Sequence, residues 1–156
     1  MADSTDILWN LYQEHSAWER HHEEQRASVT NILLAVAAGV LSVITFKAGI
    51  SRSDLPLTIF LIMQGLFGAL FVAKQYERFA RHQRLAGKYR QALNDRFPES
   101  QIIALRDLAD KEQAIEYPIL FEKVRLNKLW VGLHLLIALF GVVLTGLALF
   151  APFKAV

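Results

Sequence analysis

The 156-residue chain contains no cysteine, which excludes disulfides, thiolate metal sites and cysteine nucleophiles together. Charge is missing over three long stretches: Ala27–Phe46 (20 residues), Leu55–Ala73 (19) and Leu129–Phe153 (25). At a rise of about 1.5 Å per residue, each is long enough as a helix to cross a hydrocarbon core of about 30 Å. Proline is scarce too, and its four positions, Pro56, Pro98, Pro118 and Pro152, all fall where a helix should begin, end or bend. No Asp or Glu lies in any of the three runs, so the carboxylate pairs of an intramembrane proton relay are absent. Neither is there a P-loop, a GxGxxG, an HExxH or a GxSxG. Gly87-Lys88 sits inside a helical pattern with no strand before it, so it is not a phosphate loop. Non-enzymatic function is therefore expected, with no catalytic residue, cofactor or metal site.

What is present is an all-α membrane protein with three transmembrane helices, long helices extending into the cytoplasm and a cytoplasmic helical hairpin. The expected organisation is a cytoplasmic amphipathic helix over 1–26, a transmembrane hairpin over 27–73 (spans 27–46 and 55–73), a basic helix with its return helix over 74–128, and a third span over 129–153. A signal peptide does not fit the first run. The 26 residues before it hold six acids against two arginines, a net charge of −4 rather than a basic leader. Between spans two and three there are twelve Lys and Arg, and between spans one and two only Lys47 and Arg52. The positive-inside rule therefore places the N-terminus and 74–128 in the cytoplasm and the C-terminus, with Lys154, outside.

Residues 4–26 read as a helix capped by Ser4 or Thr5, with Asp6 in its first turn, running straight into span one. Leu8, Leu11, His15, Trp18, His22 and Gln25 recur at spacings of three and four, and Val29, Ile32, Val36, Gly39, Val43 and Phe46 continue them. Such a seam packs on another helix, in the same chain or in a neighbouring copy; Leu8, Leu11, His15, Trp18 and His22 are the candidate oligomer seam. His15, Glu19 and His22 share a face, but the two histidines lie seven apart instead of the four of the helical zinc pattern. Small residues in span one (Ala35, Ala37, Ala38, Gly39, Ser42) and Gly65 and Gly68 in span two let helix backbones approach, giving a tight antiparallel hairpin of spans one and two.

Besides serines and threonines, the spans hold Asn31, Gln64 near the midplane, and His134 early in span three. Each is either a pore element or interhelical glue, and His134 is close enough to the interface to snorkel. Directly after span two, Lys74, Arg78, Arg81, Arg84 and Lys88 fall on one helical arc, with Phe79, His82, Ala86, Tyr89 and Leu93 on another. Residues 74–96 hold seven bases and two acids, net +5. The stripe either meets lipid headgroups and the acidic N-terminal helix, or binds an anionic ligand such as a polyphosphate or a nucleic-acid strand. Asn94 to Pro98 ends this helix. A shorter one follows from Glu99 or Ser100, with Ile102, Ile103, Leu105, Leu108 and Ala109 as its apolar positions, and Leu120, Phe121, Val124, Leu126, Lys123, Arg125 and Lys128 lead into span three at Trp130.

Across LWNLYQEHSAWERHHEEQRASVTNILLAVAAGVLSVITF and DLPLTIFLIMQGLFGALFVAKQYERFARHQRLAGKYRQAL, the chain resembles the SLATT membrane domains. These are small bacterial proteins associated with nucleotidyltransferases and nucleotide-sensing domains in anti-phage defence. The likeness covers about residues 8–95 and rests on layout: an amphipathic N-terminal helix, a two-span hairpin and a basic helix directly after it. The third span departs from the simplest two-span form. Small stand-alone effectors of the Hailong defence type have similar proportions. The resemblance implies a homo-oligomer, with a tetramer as the working expectation, in the bacterial inner membrane. It would form a pore controlled by a nucleotide or oligonucleotide from a partner nucleotidyltransferase, and depolarise the cell when open. The competing expectation is a structural anchor or scaffold whose basic helix holds anionic lipid.

Overall fold

The computed structural model describes residues 3–46, 49–118 and 125–151. Four α-helices account for most of them: α1 (Ser4–Phe46), α2 (Leu55–Arg96), α3 (Ile102–Glu116) and α4 (Leu126–Phe150). Among the described residues there is no strand. The expected contributions of Lys47, Leu120, Phe121, Lys123, Val124, Pro152, Phe153 and Lys154 lie outside the described residues. Three helices, α1, α2 with the short turn before it, and α4, are long and apolar enough to cross a membrane. The chain divides into two compact units: residues up to Gln25 with Gln75–Leu126, and Arg26–Lys74 with the residues from Asn127 onward.

Helix starts and stops follow local chemistry. The cap of α1 is Asp3, one residue before the expected Ser4 or Thr5. Its carbonyl accepts the Ile7 N–H at 3.2 Å, and Asp6 reaches back to the Asp3 N–H at 3.3 Å. Backbone and hydroxyl donors at Thr5 and Ser4, with Arg96 nearby, hold the Asp3 carboxyl below its usual pKa. Between α1 and α2, Gly49 takes φ of +109°, which only glycine adopts readily. Ser51 then donates its N–H at 3.0 Å and its hydroxyl at 2.9 Å to the fully buried Asp54 carboxylate. That clamp fixes a single 3-10 turn, Arg52–Asp54, in front of α2. Past Arg96 a second 3-10 turn, Pro98–Ser100, and Gln101 at φ of +51° delay α3 to Ile102, later than the expected Glu99 or Ser100.

In the second unit the buried positions include Thr30, Ala37 and Ile44 on α1, Thr58, Leu61, Gly65, Gly68 and Val72 on α2, and His134, Ala138, Gly141 and Ala148 on α4. Spacings of three, four and seven give each helix one inward stripe. The span-two glycines make their approach to a different helix from the one expected. Gly65 and Gly68 make room for α4, where they oppose His134 and Ala138, and Gly141 returns the contact to Thr58 and Ile62. Gly39 meets nothing within 4 Å. The expected continuation of the α1 seam is corrected likewise: Ile32, Val36, Gly39, Val43 and Phe46 are exposed. A helix of 3.6 residues per turn drifts against a repeat of 3.5, and an all-apolar stretch imposes no phase to oppose the drift.

Candidate functional site

In the first unit, α1 meets α2 through a cluster of rings. The exposed charge of α2 lies on its other side. Buried or half-buried Gln75, Phe79, His82, Ala86, Tyr89 and Leu93 form the inner face of α2, as the apolar arc requires. Facing them, Leu8, Leu11 and His15 are half-buried, His22 is buried, and Trp18 is partly exposed. His15 Nδ1 lies 2.8 Å from His82 Nδ1, and the His15 ring stacks on Tyr89. His22 Nδ1 bonds Gln75 Oε1 at 2.9 Å, while the Gln75 amide donates to Gln25 Oε1 at 3.1 Å. Trp18 stacks over both His22 and His82. Four of the five candidate seam residues are thus covered to some degree within the chain itself, and two of them hold hydrogen bonds to α2.

Electrostatics in this cluster is mixed. Burial, then His15, His22 and Arg81, hold the His82 pKa below its usual value, with Glu14 opposing. Burial also raises the Glu19 carboxyl, against the pull of Arg90, Arg20 and His15. Arg90 was not among the stripe residues. Its guanidinium lies 5.4 Å over the Tyr12 ring, so it faces inward and cross-links α2 to α1.

Lys74, Arg78, Arg81, Arg84 and Lys88 are all exposed. Among the described residues, Arg78, Arg81, Arg84 and Lys88 make no ion pair within 4 Å. Arg96, at the end of the same helix, does pair, at 3.5 Å with Asp3. The acidic residues of α1 therefore leave the middle of the stripe open to solvent.

The intramembrane candidates separate. Gln64 is buried, its Nε2 donating to the Leu33 carbonyl across the α1–α2 contact, with its Oε1 left without a partner. His134 does not snorkel, contrary to expectation. It is 0% exposed, packed against Gly68, with Nε2 3.2 Å from Thr30 Oγ1 and Nδ1 unpartnered. The bare Nδ1 fits the tautomer in which Nε2 carries the hydrogen and donates to Thr30, because an enclosed acceptor costs less than an enclosed N–H. Thr145 donates to Thr58 Oγ1 at 2.9 Å, tying α4 to α2 again. Asn31 alone of the three is exposed. At the edge of the unit Arg26 lies 5.7 Å over the Trp130 ring, a contact signalled in sequence only by an arginine directly before an uncharged run. A groove of about 150 Å³ lined by Leu41, Leu61, Leu133, Leu136, Ile137 and Phe140 offers no polar side chain for chemistry.

The fold and these contacts define a helical membrane protein with three membrane-crossing helices and a second helical unit bearing an exposed cationic stripe. Compared with known proteins, the chain matches no family model, no curated protein and no solved structure.

Proposed function

We propose that this protein is a homo-oligomeric, channel-like effector of the bacterial inner membrane, acting in anti-phage defence. An anionic nucleotide or oligonucleotide, supplied by a partner nucleotidyltransferase, controls it through the stripe of Lys74, Arg78, Arg81, Arg84 and Lys88, and the open state dissipates the membrane potential. One observation carries the reading: Arg78, Arg81, Arg84 and Lys88 stand exposed, without ion pairs among the described residues, on a helix that begins as a membrane span. Unpaired cations spaced along a helix match the spacing of phosphates on a strand better than they match internal neutralisation. The stripe faces the cytoplasm in this reading, as the Lys and Arg distribution favours. Binding gates the pore only through different affinities for its two states.

A second reading, a membrane anchor whose stripe holds anionic lipid, is favoured by Gln64 and His134, whose hydrogen bonds are made inside the protomer. Induced expression with a potential-sensitive dye separates the two. Depolarisation that is lost in R81E/R84E, with assembly intact by native mass spectrometry, supports the effector. Indifferent growth and an unchanged potential support the anchor.

A further inference from the structure

We propose that His15 and His82 form a proton-sensitive latch that holds α1 against α2 in the first unit and releases it on acidification. The proposal is independent of what the cationic stripe binds. Two imidazole nitrogens 2.8 Å apart can share a hydrogen bond only if one of them donates and the other accepts. With both rings neutral, either Nδ1 can donate while the other is bare. The first added proton is tolerated, since an imidazolium N–H still finds a lone pair across the gap. The second removes the last acceptor, leaving two donors and two like charges face to face. The pair is therefore attractive with zero or one extra proton and repulsive with two.

The surroundings sharpen this. On α1 the charged or titratable neighbours are Glu14, Glu19, His21 and His22, with Arg20 and Glu23 acting on Glu19; on α2 they are Arg81, Tyr89 and Arg90. The largest influences on His82, burial apart, come from α1 and α2. Glu14 favours a proton on His82. Arg81 and His22, whose ring centre is 5.4 Å from that of His82, oppose the second proton. The sign follows from the depressed His82 value: the folded pairing binds fewer protons than the separated helices. Its contribution is complete above the ordinary imidazole pKa of about 6.5. It is lost as pH falls through the lowered value.

The absence of cysteine makes the test direct. Gln13 and Gln83 are exposed and uncharged, one on each helix and outside the cluster. The full-length Q13C/Q83C chain, spin-labelled and diluted with unlabelled chain in nanodiscs, is measured by double electron–electron resonance at pH 8 and pH 5. The expected result is a shift to longer, broader distances at pH 5. Glutamine at either position keeps a donor and an acceptor but cannot titrate. The shift should therefore vanish on a His82→Gln or a His15→Gln background. A variant already open at pH 8 would also support the latch, because it would show that the pair holds the helices. An unchanged distance in the unsubstituted cluster would overturn it, as would a full acid shift persisting in either glutamine variant.

Discussion

Replacing Gly65 by alanine tests the packing of the membrane-crossing unit most sharply. An added Cβ would lie 2.5 Å from the Ala138 nitrogen, 2.7 Å from the His134 carbonyl oxygen and 2.8 Å from the Ala138 Cβ. Ordinary contact begins at 3.4 Å, so α2 and α4 must part by about 0.9 Å, and the obstructing atoms are mostly backbone that no rotamer change can clear. Overpacking of this kind costs about 1–3 kcal/mol, while the better helix propensity of alanine returns at most about 1 kcal/mol. The net expectation is a loss of about 1–2 kcal/mol, a shift of roughly 5- to 30-fold in the folded-to-unfolded ratio. Gly132→Ala is the matched control, on a membrane-crossing helix with nothing within 4 Å of the new methyl, and should be neutral or slightly stabilising. Denaturant titration in mild detergent measures both. Equal stability of the two variants, within about 0.5 kcal/mol, would refute the placement of α2 against α4.

Gln64→Leu should leave depolarisation unchanged and cost under about 1 kcal/mol, because it removes one interhelical hydrogen bond together with an unpartnered oxygen; a change in conductance would return Gln64 to the pore. Asn31→Leu, at an exposed position on α1, should instead alter assembly or conductance, read by native mass spectrometry and single-channel recording. Gln101→Gly relieves a left-handed backbone at φ of +51° and should raise the stability of the first unit by about 0.5 kcal/mol, measured by thermal melting. Trp130→Leu removes the ring beneath Arg26 and should lower stability by about 1 kcal/mol in the same denaturant titration.

The fold is legible in the chain where polar residues interrupt the apolar pattern. The start of α2 at Leu55 and its end at Arg96 were legible because Asp54 and Pro98 bracket an unbroken helical stretch. The ring-bearing faces of α1 and α2 in the first unit were legible because few positions there are apolar or aromatic, so only one phase fits. Inside the spans every phase is apolar, and the stripe of α1 was misplaced onto Ile32, Val36 and Val43 when Thr30, Ala37 and Ile44 face inward. Gly65 and Gly68 announced a close approach but could not name the partner, which is His134 and Ala138 about 70 residues away. The His15–His82 contact, between positions 67 apart, was hidden for the same reason. The cap of α1 slipped by one residue because Asp3, Ser4 and Thr5 are all competent to cap.

The distribution of polar groups in the membrane-crossing unit bears on where a conduction path could run. Its interior holds Ile44 and Leu61 at 1% and 0% exposure, and its threonine, glutamine and histidine side chains make bonds to one another or to backbone. In hydrocarbon such bonds lock helices together. Asn31 is different, since it is a polar side chain exposed on the face of α1 that also carries Ala35, Ala38, Gly39 and Ser42. Lipid satisfies neither the amide of Asn31 nor the close-packing capacity of those small residues. If the protein conducts as proposed, the outer face of α1 between copies of the chain is where the path would run. Ligand binding to Arg78, Arg81, Arg84 and Lys88 would then have to act on contacts between protomers to gate it.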